Sequence, residues 1–152
     1  MYEKIIVPLD GSKVAEAVLP DIQGIVQRMV NGTRVEVTLL QVISNLTYNV
    51  LTPEEQVQIP YSAEDLQQIK QNAQSYLEKI AASLRSNGID VKTIVSVGNA
   101  AEEIINAADK TGANLIAMST HGYSGVKRWA IGSVADKVLH IANIPVLIVR
   151  AK

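Results

Sequence analysis

Cysteine is absent from this chain of 152 residues, so the sequence excludes disulfides and thiolate metal sites. Phenylalanine is absent as well, and aromatic residues make up only 4% of the sequence. The hydrophobic core must therefore be built from aliphatic side chains. Because proteins of the reducing cytoplasm seldom carry disulfides, we expect a cytoplasmic protein.

Neither sign of charge is in excess, since the formal net charge is −1. This balance argues against a surface for nucleic acid, which would need clustered Lys and Arg. Long apolar runs are also missing, and none approaches the roughly 20 residues of a membrane helix. Residues 1–4 lead directly into an apolar strand without the features of a signal peptide. We therefore expect neither nucleic acid nor a membrane as a partner.

Apolar runs alternate with segments of helical periodicity along the chain. Continuous apolar runs are typical of strands buried on both faces of a parallel sheet. They predict strands at residues 4–9, 35–43, 91–97, 115–118 and 145–149. Helical spacing and N-cap residues predict helices over residues 13–30, 62–87, 99–112 and 132–142. The long connection over residues 44–61 is predicted to be a functional or mobile loop.

Single residues refine these helix predictions. Ser12, Ser62 and Asn99 are natural N-caps, and Gly112 is a natural helix stop. Pro20 lies within the first predicted helix, where its missing N–H should bend the helix.

Five strands that alternate with four helices predict one α/β domain over residues 1–152. The sheet should be open and parallel, with right-handed crossovers. Ligands bind to such sheets beyond the carboxyl ends of the strands, at the point where the strand order reverses.

One stretch has the pattern of a phosphate-binding loop. An apolar strand passes into Ser119-Thr120-His121-Gly122, residues 123–131 follow, and Gly132-Ser133 opens an amphipathic helix. The first turn of a helix offers unpaired N–H groups and a partial positive charge to an anion. Glycine lets the backbone approach an oxyanion closely. The other common phosphate motifs, GxxxxGK[ST] and GxGxxG, do not occur.

This spacing resembles the nucleotide loop of universal stress proteins, whose ATP-binding branch carries Gly-x2-Gly-x9-Gly-(Ser/Thr). Gly122, Gly132 and Ser133 match that motif, and Ser119 stands in the place of its first glycine. The resemblance covers nearly the whole chain, including VPLDGS at residues 7–12. It implies a Rossmann-like sheet of the adenine nucleotide alpha hydrolase type with strand order 3-2-1-4-5. The first and fourth strands would then border one crevice.

The resemblance also implies a ligand, an adenine nucleotide such as ATP, ADP or AMP, with or without Mg²⁺. Asp10 would accept a hydrogen bond from a ribose hydroxyl or help to hold the cation, although it could instead cap the turn into the first helix. The backbone of Val42 would pair with the adenine edge, whereas its side chain could be ordinary sheet core. The candidate binding residues are Pro8, Asp10, Val42, Ser119, His121, Gly122, Gly132, Ser133 and Val134.

Ser133 has two interpretations that the sequence leaves open. Ser133 and Asp136 have the spacing of a capping box, in which the serine hydroxyl serves its own helix. Alternatively, the hydroxyl and the N–H groups of Gly132 and Ser133 contact phosphate oxygens.

The last predicted strand, from Pro145 to Val149, would lie at the edge of the sheet. It is apolar and carries no charge before Arg150. Soluble proteins cover, charge or pair such an edge. We therefore expect a homodimer in which this strand pairs with its copy about a twofold axis, as the resemblance also implies.

The function expected from the resemblance is regulatory nucleotide binding in a stress response. No base is evident that could activate water, so ATP hydrolysis should be slow at most. One alternative is a dimeric adaptor without nucleotide, for which Ser119 in place of glycine is the best support. The other is a nucleotide-handling hydrolase or adenylyl transferase on a related sheet.

Overall fold

The computed structural model describes residues 3–29, 32–121 and 131–152. Strands and helices alternate along most of this chain. In order they are β1 (Lys4–Pro8), α1 (Lys13–Glu16), α2 (Leu19–Arg28), β2 (Glu36–Ile43), β3 (Thr47–Leu51), β4 (Gln56–Pro60), α3 (Ala63–Ser86), β5 (Asp90–Val97), α4 (Ala100–Thr111), β6 (Leu115–Thr120), α5 (Ser133–Ile141) and β7 (Val146–Arg150).

Five strands form one parallel sheet in the order β5-β2-β1-β6-β7. The other two, β3 and β4, pair only with each other. Without them, the order is the predicted 3-2-1-4-5, and the predicted α/β class is confirmed. The order reverses between β1 and β6, so their carboxyl ends border a crevice.

Helices cover both faces of the sheet because alternate side chains point to opposite faces. Ile5 and Val7 of β1 pack in a cluster with α2 and α3, whereas Ile6 packs in a second cluster with α4 and α5. These three side chains are at most 1% exposed. Burying a side chain of this size stabilises a fold by about 1.5–3 kcal/mol, so the two clusters hold the strand ends in place.

Helices α3 and α4 begin at the N-cap residues predicted from the sequence. Ser62 forms a complete capping box, since its Oγ accepts from the N–H of Asp65 at 3.1 Å and its own N–H donates to the Asp65 carboxylate at 3.4 Å. Asn99 Oδ1 accepts from the N–H of Glu102 at 3.1 Å and caps α4. Gly112 ends α4 with a φ of 66°, a left-handed conformation that favours glycine.

The first predicted helix was wrong as a single bent element. Residues 13–30 contain two helices, α1 and α2, separated by Ala17 and Val18. Pro20 lies in the first turn of α2, where its missing N–H breaks no intrahelical hydrogen bond. The proline therefore favours a new helix start rather than a bend.

The loop predicted at residues 44–61 was also wrong. Strands β3 and β4 form an antiparallel hairpin, whose turn is closed by a hydrogen bond from Thr52 N–H to Glu55 O at 2.9 Å. Pro53 lies in the turn and Pro60 ends β4, so neither removes a donor from the middle of a strand.

Strand β7 forms the predicted edge strand of the parallel sheet. It begins at Val146, one residue later than predicted, and the carbonyl of Pro145 accepts from Ile116 N–H at 3.0 Å. Among the helices in the described ranges, none is long and apolar enough to cross a membrane.

Candidate functional site

A crevice of about 440 Å³ opens at the carboxyl ends of β1 and β6. Its volume is within the range of small-molecule sites. The turn after β1, helix α1, the end of β2 and the first turns of α4 and α5 form its walls. It lies at the predicted position, where the strand order reverses.

The crevice brings together most of the residues singled out in the sequence. Gly122 lies outside the described residues. The other candidates all line the crevice, namely Pro8, Asp10, Val42, Ser119, His121, Gly132, Ser133 and Val134.

The turn after β1 presents the Asp10 carboxylate at one side of the crevice. Ser12 N–H donates to Asp10 Oδ1 at 2.9 Å, and Ser12 Oγ accepts from Ala15 N–H at 3.1 Å to cap α1. Gly11 has a φ of 87°, which a residue with a side chain rarely adopts. The turn-capping role considered for Asp10 is thus present. It engages Oδ1, and a ligand could use Oδ2.

Behind this turn lies the hydroxyl of Tyr76, which α3 contributes. Burial raises the pKa of this hydroxyl, and the Glu16 carboxylate beside it raises that pKa further. The tyrosine is therefore neutral over the physiological pH range. In the sequence, Tyr76 is one of the apolar residues at helical spacing within the helix predicted over residues 62–87, a pattern that indicates core packing and no site.

Opposite the turn, no side chain of the described residues caps the N-terminus of α5. Of the two interpretations of Ser133, the structure does not support the capping box, because Gly132 is the N-cap and Ser133 is already the first helical residue. Asp136 N–H donates instead to the carbonyl of Gly132 at 2.9 Å. The preceding N–H groups of the first turn cannot pair within the helix. Within the described part of the chain no acceptor is recorded for them, and an anion at the crevice is the kind of partner they suit.

Ser119 has a partner that the sequence did not reveal. Its Oγ donates to the carbonyl of Ala15 at 3.2 Å, which links β6 to α1 across the crevice wall. The next residue, Thr120, is buried, with 5% of its surface exposed.

An apolar wall completes the crevice. Val42, Ile104 and Met118 line it, and Ile104 and Met118 are nearly fully buried. Ile104 lies in the helix predicted over residues 99–112 and Met118 in the strand predicted over 115–118, but nothing in the sequence places either in the site. An apolar residue that faces the core and one that lines the crevice have the same spacing in the sequence, so no sequence signal distinguishes them.

A family model described as the universal stress protein family matches residues 1–150. The chain belongs to the universal stress protein family. It is 31% identical over 162 residues to universal stress protein MJ0577 of Methanocaldococcus jannaschii, with 100% of this chain and 97% of that protein covered. The solved structure of MJ0577 superposes with a TM-score of 0.74 at 28% identity, over 100% of this chain and 98% of the other.

Two further universal stress protein structures share the fold. One, in complex with cAMP, has a TM-score of 0.64 at 19% identity and covers 99% of this chain and 98% of its own. The other, from Archaeoglobus fulgidus in complex with dAMP, has a TM-score of 0.61 at 20% identity and covers 97% of each chain. At these identities the likeness establishes the fold alone.

Proposed function

We propose that this universal stress protein binds an adenine nucleotide as a regulatory ligand, with ATP expected and ADP or AMP as alternatives. The observation that carries the proposal is the uncapped N-terminus of α5, which lies on the same crevice as the Asp10 carboxylate and an apolar wall. These are the three kinds of surface that phosphate, ribose and base require. The cAMP and dAMP complexes of two proteins with this fold agree with the ligand class.

Each part of a nucleotide has a matching surface in the crevice. The base would pack on Val42, Ile104 and Met118, and the ribose hydroxyls would donate to Asp10. The phosphates would accept from the first-turn N–H groups of α5 at Ser133 and Val134. Asp10 is the one acidic side chain among the described lining residues, so the phosphates would supply most ligands of any Mg²⁺.

We expect this arrangement of residues to hydrolyse ATP slowly at most. Phosphoryl transfer to water requires an oriented nucleophile as well as bound phosphates. Asp10 Oδ1 is already engaged with the N–H of Ser12. His121, which is exposed, is the other titratable side chain among the described lining residues. Its proposed role is to donate to a phosphate oxygen.

A dimeric adaptor without nucleotide is the second candidate function. Ser119 supports it, because this serine stands where the nucleotide motif of the family carries its first glycine. Mass spectrometry of the gently purified protein separates the two, since a co-purifying adenine nucleotide is expected only from the binding protein. In either function we propose a homodimer through β7, the strand at the open edge of the sheet.

Valine substitutions in the loop test the nucleotide site. The Gly122→Val, Gly132→Val double variant should lose ATP binding in calorimetry, because the added side chains would occupy the space of the phosphates. A Cβ at Gly132 would meet no atom of the described residues within 4 Å, and the φ of −57° at this position suits valine, so the fold should survive.

Gly24→Val is the matched control. Gly24 lies in α2, outside the crevice, and its added Cβ also meets open space. The control should bind ATP like the natural protein. Equal ATP affinity in the folded double variant and in the control would show that the phosphates bind elsewhere.

A further inference from the structure

Helix α1 forms part of the crevice wall without a core of its own. It consists of a single turn, and none of its residues is buried. Val14 and Ala15 line the crevice. One turn of helix is too short to be stable alone. The position of this wall therefore depends on the packing of Ala15 against the core and on the hydrogen bonds that hold the turn.

Two hydroxyl groups hold the two ends of α1. Ser12 Oγ caps the N-terminal end by accepting from Ala15 N–H. At the other end, the last carbonyls of a helix have no intrahelical donor. Ser119 Oγ supplies one to Ala15 O at 3.2 Å. Ser119 lies in β6, which pairs with β1 and β7 within the sheet. Its hydroxyl therefore links α1 to a central strand.

The same bond limits what Ser119 can offer a ligand. A serine hydroxyl has one proton, and here that proton is donated to a backbone carbonyl. Only lone pairs remain for a ligand, and phosphate oxygens are acceptors that need a donor. The hydroxyl is therefore poorly suited to direct contact with phosphate.

We infer that Ser119 is a positioning residue, which fixes α1 against β6 and sets the width of the nucleotide crevice without touching phosphate. The inference rests on the proposed function and deepens it. The tether would preorganise the wall, and a preorganised wall raises affinity because less freedom is lost on binding. Glycine, which the family motif carries at this place, would provide no such tether.

Ser119→Ala and Ser119→Thr test the inference together. Hydrogen exchange of the α1 amides, from Ala15 to Ala17, is measured first in the nucleotide-free protein. Loss of one hydrogen bond should speed their exchange about threefold to tenfold in Ser119→Ala. ATP affinity, measured by calorimetry, should fall by a similar factor. Ser119→Thr, which keeps the hydroxyl, should restore both.

Thr111→Val is the matched control. Thr111 Oγ1 donates to the carbonyl of Ala107 at 2.8 Å within α4, and it is not among the residues that line the crevice. This variant also loses a hydroxyl-to-carbonyl bond, but α1 exchange and ATP affinity should stay unchanged.

Three results would overturn the inference. Unchanged α1 exchange in Ser119→Ala would show that the tether does not hold the helix. Weaker ATP binding with unchanged α1 exchange would instead show direct contact with the nucleotide. Faster α1 exchange with unchanged ATP affinity would reduce Ser119 to a structural residue. If the natural protein binds no nucleotide, the proposed function fails, and the exchange experiment alone decides whether the tether exists.

Discussion

The apolar wall of the crevice should contribute measurably to ATP affinity. Ile104 packs in the cluster between the sheet and α4 and α5, and it also lines the crevice. Ile116 packs in the same cluster and is fully buried, but it does not line the crevice. Valine at either position removes one methylene group from the same core, and only Ile104→Val removes it from the proposed base site.

Both variants should lose similar stability. Ile→Val in a core typically costs about 0.5–1.5 kcal/mol. For a chain of this length, each kcal/mol lowers the Tm by roughly 2–4 °C. The melting curves must be measured without nucleotide, because a bound ligand stabilises the folded state.

ATP affinity should separate the two variants. A buried methylene is worth about 0.8 kcal/mol, which corresponds to roughly a fourfold change in Kd. Calorimetry should therefore show weaker ATP binding by Ile104→Val and no change in Ile116→Val. The same Kd for both would refute the assignment of the base to the α4 wall. A loss in both would show that core stability, not contact with the base, controls affinity.

Three further predictions concern stability and assembly. Ser62→Ala removes the capping box of α3 and should destabilise the protein by about 1 kcal/mol in urea unfolding; an unchanged midpoint would show that the cap contributes nothing. Hydrogen bonds from Thr93 and Arg85 lower the pKa of Glu78. Its stabilising effect over Glu78→Gln should therefore be fully present above the unfolded-state pKa of about 4.3 and be lost as the pH falls from that value through the lower folded-state pKa. A stability difference that persisted in strong acid would contradict this assignment. Leu147→Lys should shift the proposed β7 dimer to monomer in sedimentation. Because Leu147 also packs against the core, circular dichroism must show that the variant is folded. A natural protein that is already monomeric at tens of micromolar would contradict the edge-strand dimer.

The sheet and the position of the crevice could be predicted because most of their signals are local. Buried parallel strands have continuous apolar runs, and Ser62 and Asn99 cap helices through bonds to residues three positions away. The motif at residues 119–133 fixed the carboxyl end of the sheet as the site. Asp10 then followed from the strand order, since the crevice lies where that order reverses, whereas Val42 followed only from the resemblance to the family.

The features that the sequence did not predict correctly depend on contacts or backbone geometry that a local sequence pattern does not specify. In the hairpin, Pro53 and Pro60 suggested a loop, although a turn and a strand end both tolerate proline. The apolar residues around Pro20 have the same helical spacing whether the proline bends one helix or begins a second, so this pattern does not distinguish the two cases. The bond from Ser119 to Ala15 joins residues 104 positions apart, so only the folded chain reveals it.

Amide NMR during an ATP titration tests the central claim most directly, because each backbone N–H reports on its own surroundings. The account predicts the largest shift changes at Ser133 and Val134 in the first turn of α5, with further changes at Asp10 and Val42. Amides of the β3–β4 hairpin, which does not line the crevice, should be unaffected. An absence of shifts at millimolar ATP, or shifts confined to residues outside the crevice, would contradict nucleotide binding at this site.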